Sequence, residues 1–440
     1  MLKNEFEVTV RQPEFPEKTF NIKEFGAVGD GKFDNSEVFA EAINSCHQAG
    51  GGTVLVPAGD WFTGPIHFKS NINLRLEADA TIYFSDNFAD YLPVVFTRWE
   101  GNECYNYSPL IYAANCENIA LTGQGKLVGN GEKWWPWKQT QQQAAQKLYD
   151  AQYNDIAVAD RIFGIEKGLR PQFIQPINSK NILIEGITIV DGPMWTIHPV
   201  YCENTIIRNL KIITNGPNTD GINPDSCSNM LIENCDFETG DDCIAIKSGI
   251  NEDGRRVNKP CENLVIRNCK AKEGHGGIVI GSEMSGGVKN IHVHNCSFNG
   301  GERGIRLKSM RGRGGVVENL LFEDIEINDL RAEGIILNMY YDATTVEPQT
   351  EMPPLFRNIT IRNISGENIE QPIVLRGLPE QKMESITLEK IDLSGSKGLQ
   401  VSNLSRLNLK QVKLKLKAEL QFKFSNVDQL EVSECSCQQQ

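Results

Sequence analysis

Four short phrases hold side chains that could act together: Asn218-Thr219-Asp220, Gly240-Asp241-Asp242, Gly274-His275-Gly276 and Arg306-Leu307-Lys308. Three carboxylates gathered in one patch repel one another. At least one is then expected to keep its proton as a general acid while another stays ionised as a base. Two carboxyl groups flanking a sugar bond are what hydrolysis of that bond needs. His275 would tune the acid or bind substrate. Arg306 and Lys308 are donors suited to a carboxylate on the substrate. Taken singly, Asp220 or Asp242 reads as a turn residue or strand-end cap, and His275 as a loop residue. Only an arrangement that stacks them makes a site.

The chain supplies such an arrangement by repeating itself. A small or charged pair, then Asn, then alternating apolar residues recurs at Asn118, Asn181, Asn204, Asn229, Asn263, Asn290, Asn319 and Asn358. From Asn181 onward the Asn-to-Asn gap varies between 23 and 39 residues. Each phrase opens a period-2 run such as Ile182-Leu183-Ile184-Glu185, which is a strand signal. Repeats of this length carrying short strands mean a solenoid. The pairs of amphipathic helices of a helical solenoid and the leucine ladder of a leucine-rich repeat are not seen. The expected fold is therefore all-β, a right-handed parallel β-helix with two or three short strands per coil. Asn at one turn suits a left-handed backbone and side-chain bonding between stacked coils.

A second strand family aligns on Ile222, Ile244, Ile278, Ile305, Ile335 and Ile373. Stacked anchors bring Asp220, Asp241, Asp242, His275, Arg306 and Lys308 to one side of four successive coils, about 4.8 Å apart. Adjacent residues on a regular strand face opposite ways, so Asp241 and Asp242 need a turn or bulge at Gly240 to share the patch. Lys247 projects outward by the same alternation and is a candidate for reaching the groove. His292 and His294 read as a solvated strand face rather than a metal pair, and Arg303, Arg311 and Arg313 as solvated cations.

One domain, 1–440, is expected, with a strand and capping helix within 1–60 and a loop insertion at 131–170. Asp34-Asn35-Ser36-Glu37 forms a capping box, with Val38, Phe39, Ala42, Ile43 and Cys46 facing inward from the helix. The insertion holds either a short helix or loop. Trp134, Trp135 and Trp137 are loop core or sugar platforms. Gln438 to Gln440 are expected to be disordered. The twelve Cys read as reduced core residues, with no zinc pattern among them. With 44 basic and 57 acidic residues, the net charge of −13 argues against nucleic acid or an anionic membrane as partner. No apolar run is long enough for a membrane span. The start, Met1-Leu2-Lys3-Asn4-Glu5-Phe6-Glu7, does not read as a signal peptide. A cytoplasmic location is expected, or a periplasmic or secreted one if a leader has been removed.

The four phrases, in this order, resemble the signature motifs of glycoside hydrolase family 28, the polygalacturonases; Leu307 departs mildly from the usual Ile. Tyr341, in Met339-Tyr340-Tyr341-Asp342, is similar to the tyrosine that follows those motifs. Phe25-Gly26-Ala27-Val28-Gly29-Asp30-Gly31 resembles the opening of pectin-lyase-like β-helices. The resemblance implies an inverting hydrolase of galacturonan, without metal or other cofactor. It implies Asp241 as general acid, Asp220 and Asp242 as the bases that activate water, and His275 as support for the acid. It also implies Arg306 and Lys308 as the grip on a galacturonate carboxylate, with Asn218 and Tyr341 in support. Pro93-Val94-Val95-Phe96-Thr97-Arg98-Trp99, Trp134-Trp135-Pro136-Trp137 and Gly281-Ser282-Glu283-Met284 are similar to bacterial exo-polygalacturonases. An exo-enzyme needs one end of its groove closed, and loops such as 86–109 and 131–170 would close it. The implied partner is pectic oligo- or polysaccharide, and the oligomeric state is left open. Alternatives are an endo-enzyme, a hydrolase of rhamnogalacturonan-type or unsaturated ends, a Ca²⁺-dependent lyase and a non-catalytic polysaccharide-binding β-helix.

Overall fold

The computed structural model describes residues 6, 8–165, 168–341, 352–417 and 422–439. Met1 to Glu5, Glu7, Glu166, Lys167, Asp342 and Gln440, which figure in the readings above, lie outside the described residues. The chain divides into two compact units: Thr9–Asp241, and Asp242–Gln440 with the residues up to Val8. Both are built from coils of a right-handed parallel β-helix.

In the first unit, Val54, Leu74, Leu121, Ile184, Ile207 and Ile232 stand in register on successive strands. All are buried. A second sheet stacks Trp61, Ile82, Leu127, Ile189, Ile212 and Phe237. A third stacks Ile66, Ile111, Ile174, Ile197 and Ile222. Each coil thus sends one apolar side chain per sheet into a shared core. Burying each contributes about 1.5–3 kcal/mol relative to leaving it exposed.

The repeated Asn sits where the coil turns. Asn118, Asn181, Asn204 and Asn229 all have φ of 54°. Their amides bond from rung to rung, Asn181 Nδ2 to Asn118 Oδ1 at 3.1 Å and Asn204 Nδ2 to Asn181 Oδ1 at 3.3 Å. Asn tolerates the left-handed region, and its amide both donates and accepts, so one residue type meets both demands. The second unit repeats the ladder through Asn263, Asn290, Asn319 and Asn358.

The capping helix spans Ser36–Gln48 and buries Phe39, Ala42, Ile43 and Cys46, with Val38 half-buried. The expected capping box does not form. Asn35 is buried, and its amide instead donates to the carbonyls of Val28, Phe33 and Phe62. Bracing two strands and the loop before them takes precedence over one orphan helix N–H. Asp34 accepts from the Ser36 N–H at 2.9 Å.

The insertion is helical, at Trp137–Thr140 and Gln142–Ala151. The cysteines are free thiols; ten are buried, Cys437 is half-buried and Cys435 exposed. In the second unit the anchors pair as read: Ile244, Ile278, Ile305, Ile335 and Ile373 are in register. Gln438 and Gln439, expected to be disordered, belong to the last strand, Ser436–Gln439, paired with the preceding coil.

Candidate active site

Asn218 and Asp220 lie on the turn that enters the Ile222 rung of the first unit. Asn218 has φ of 58°, and its side-chain oxygen accepts from Lys138 Nζ at 2.6 Å and Arg170 Nη2 at 2.8 Å. Both donors come from the 131–170 insertion. Arg170 is fully buried and also donates to the carbonyls of Pro193 and Pro217. Burial pulls its guanidinium down to about 10. Asp220 is buried and accepts from Asn223 Nδ2 at 2.7 Å.

Gly240 and Asp241 form a bend outside any strand, and the next strand begins only at Ile244. The strand-alternation difficulty at Asp241 and Asp242 therefore does not arise. A Cβ on Gly240 would meet the Gly216 carbonyl oxygen at 2.2 Å, so the bend requires glycine. Asp241 is half-buried, and its carbonyl accepts from Thr239 Oγ1 at 2.8 Å.

The first unit also carries a roof. Strands Val95–Trp99 and Asn102–Asn106 form an antiparallel hairpin, whereas the other paired strands of this unit, among the described residues, run parallel. The outward column of the third sheet, Tyr112, Gln175, His198 and Asn223, is buried, and its first two members meet the hairpin. Tyr112 Oη donates to the Phe96 carbonyl at 2.6 Å, and Thr97 Oγ1 to Gln175 Oε1 at 2.6 Å. Arg98 reaches Asp225 Oδ1 at 2.8 Å, with both side chains fully buried. His198 lies between Gln175, at 3.0 Å, and Asp225, at 3.3 Å. Trp134 is fully buried among Phe88, Tyr91, Tyr107 and Trp137, so it is loop core.

The second unit carries the cations. Asp242 is 1% exposed; Lys308 Nζ lies 2.7 Å from its Oδ2 and Arg306 Nη1 3.6 Å from its Oδ1. Gly276 fits here because a Cβ would meet Asp242 Oδ1 at 3.1 Å and Val279 Cγ2 at 2.4 Å. His275 is half-exposed, its Nε2 3.8 Å from Glu302 Oε1. Tyr341 places its ring 5.8 Å from Lys308 Nζ.

Lys247 is buried and paired with Glu283 at 2.8 Å. Burial alone would raise the Glu283 carboxyl, but Lys247, Lys308 and Arg313 outweigh it and hold it at about 2. Glu283, in Gly281-Ser282-Glu283-Met284, is thus the counter-ion of Lys247, a pairing that strand alternation alone does not point to. Four side chains expected to be solvated are instead held by partners. Arg311 and Arg313 are buried: Glu380 grips Arg311, and Asn251 Oδ1 accepts from Arg313 at 2.7 Å. Arg303 is half-buried and bonded to Glu302 and Glu333. His292 is buried against Phe6 and bonded to Glu323 at 2.9 Å. Each lies on a face covered by residues remote in sequence.

A cleft of about 540 Å³ opens in the second unit, with Arg303, Arg306, Lys308, Tyr341, Arg376 and Gln400 among its lining residues. A larger cavity of about 1000 Å³ in the first unit, lined by residues including Leu55, Arg75 and Thr122, holds none of the candidate residues.

The first unit carries the carboxylates Asp220 and Asp241; the second carries Asp242 with the cations Arg306 and Lys308, donors suited to an acidic sugar. The chain belongs to the family described as glycosyl hydrolases family 28, which it matches over residues 46–413. It is 40% identical to the hyperthermoactive exopolygalacturonase from Thermotoga maritima, with a TM-score of 0.90 over 94% of this chain and 95% of that one. It is 30% identical to a probable polygalacturonase of Vitis vinifera over 85% of this chain and 74% of that protein. It is 25% identical to an exo-poly-alpha-D-galacturonosidase of Dickeya chrysanthemi over 80% of this chain, spanning 62% of that relative.

Proposed function

We propose that the protein is an exo-acting polygalacturonase, hydrolysing α-1,4-galacturonosyl linkages from the non-reducing end with inversion. Asp241 gives its proton to the glycosidic oxygen as that bond breaks. Asp220 and Asp242 take a proton from the water that attacks the anomeric carbon from the opposite face. One proton leaves the acid and one reaches the bases, and exchange with solvent restores both. Asn223 donating to Asp220, and Lys308 beside Asp242, are contacts that suit carboxylates working in the ionised form. His275 supports the acid. Arg306, Lys308, Asn218, Tyr341 and Lys247 hold or position the substrate.

The observation that carries the exo reading is the hairpin roof. Tyr112 and Gln175 of the outward column are buried and bonded to Phe96 and Thr97, leaving that stretch no surface for a sugar chain. The relationship to the Thermotoga exopolygalacturonase supports the same reading.

Digestion of polygalacturonate with early products separated by anion exchange tests it. Galacturonic acid monomer as the first product is expected. Larger oligomers appearing first would overturn exo action, and no reducing-sugar release from any pectic substrate would overturn the activity.

A further inference from the structure

Beyond Lys308, the outward column of the second unit continues through Asn338 to Arg376. Arg376 therefore stands two rungs on, roughly 9.6 Å at about 4.8 Å per rung. Its guanidinium lies over the Tyr340 ring at 5.3 Å. Arg311 lies 5.4 Å from the same ring. The two cations differ in their company. Arg311 is gripped by the Glu380 carboxylate, whose second oxygen lies 3.0 Å from Nη2. Among the described residues no carboxylate pairs with Arg376, which is half-buried and lines the cleft.

The rung between Lys308 and Arg376 organises the aromatic neighbour of each. Asn338 Oδ1 accepts from the Tyr340 N–H at 3.0 Å, and Asn338 Nδ2 donates to the Tyr341 carbonyl at 3.4 Å. One turn thus sets Tyr341 beside Lys308 and Tyr340 beside Arg376. A guanidinium stacked on an aromatic face has lost much of its rotamer freedom already, and its fork still points N–H groups outward for an anion.

We propose that Arg376 binds the carboxylate of a galacturonate unit on the leaving-group side, one or two sugars beyond the unit held by Arg306 and Lys308. This rests on the activity proposed above. It makes the open cleft a chain-length reader. A polymer with one carboxylate per sugar, laid along a sheet with one rung per coil, meets a second cation only once it is long enough.

The test is kinetic. Arg376→Ala and Arg376→Lys are assayed on di-, tri- and tetragalacturonate, and the ratio of kcat/KM between tetramer and dimer is read. The unaltered protein's hydrolysis of the dimer tests the activity itself, separately from this proposal. Arg376→Ala is expected to lower the ratio about tenfold, mainly through KM, as for loss of a partly exposed charge-assisted hydrogen bond. Arg376→Lys keeps the charge but loses the fork, and is expected to lie between. Tetragalacturonate titrated calorimetrically into Asp241→Asn, with and without Arg376→Ala, should show the same loss in affinity. A ratio unchanged in both variants, or a lowered melting temperature with no change in ratio or affinity, would overturn the proposal and leave Arg376 as a brace for Tyr340.

Discussion

Lys308 Nζ lies 2.7 Å from Oδ2 of Asp242, and neither side chain is more than a tenth exposed. The lysine expected to grip substrate therefore already compensates a buried carboxylate. Lys308→Met leaves Asp242 without that partner, a loss on the order of 3–5 kcal/mol for a buried pair. A lower melting temperature by calorimetry is expected, with activity lost. Lys308→Met combined with Asp242→Leu should recover part of the melting temperature and none of the activity. No recovery would show that the lysine stabilises through other contacts.

Asp241→Asn removes the proposed proton donor while keeping the shape of the bend. Turnover should fall about 10²- to 10⁴-fold, the usual contribution of a general acid. Binding of trigalacturonate, measured by calorimetry, should persist. Near-normal turnover would refute the assignment of the acid.

The hairpin roof is fastened by the fully buried pair Arg98 and Asp225. Arg98→Leu removes the charged partner of Asp225 and leaves it His198, and breaking such a buried pair should cost roughly 3–5 kcal/mol. With the hairpin loosened, early digestion products should include oligomers as well as monomer. An unchanged monomer-only profile in a folded Arg98→Leu protein would separate the hairpin from exo action.

Acid stability should report Glu283. Its carboxyl is held at about 2, below the ordinary 4.5. A depressed folded value stabilises the protein above the unfolded value, and the contribution is lost as pH falls from about 4.5 towards about 2. Melting temperature should drop through that window, and the drop should be shallower in Glu283→Gln. An equally steep drop in the variant would assign acid sensitivity to other carboxylates.

Exhaustive chelation should leave hydrolysis of polygalacturonate intact, with no rise in ultraviolet absorbance from an unsaturated product. Loss of activity restored by Ca²⁺ would favour the lyase reading instead.

Much of this was legible in the sequence because the β-helix reuses one local rule in every coil. The anchors from Ile244 to Ile373 fall in the register that simple alignment of apolar residues implied. The Asn ladder was legible because a left-handed turn and an inter-coil bond leave few residue types to choose from. What stayed hidden depends on contacts between distant segments. Arg98 meets Asp225 across 127 residues, and Arg311 meets Glu380 across 69. A lone Arg at either position looks like a solvated cation, since nothing nearby announces its partner. The capping box failed for a related reason: Phe62, 27 residues away, competes for the Asn35 amide. Glu283 was within reach, because a carboxylate in a phrase flanked by glycines and facing Lys247 is a natural counter-ion.

The ladder also bears on how such a molecule can change over generations. From Asn181 onward Asn-to-Asn gaps run from 23 to 39 residues, yet the strands flanking the shortest and the longest gap alike pair in register. The 131–170 insertion, for one, lies between the strands Lys126–Val128 and Ile174–Ile177, at a corner of the coil. Insertions and deletions there lengthen walls and lids without disturbing the core. A single-residue deletion inside a run such as Ile182-Leu183-Ile184 would instead turn each later side chain of that strand to the wrong face. The scaffold is thus permissive at its corners and intolerant between them, and new substrate preferences can be sampled by loop length while the catalytic rungs stay still.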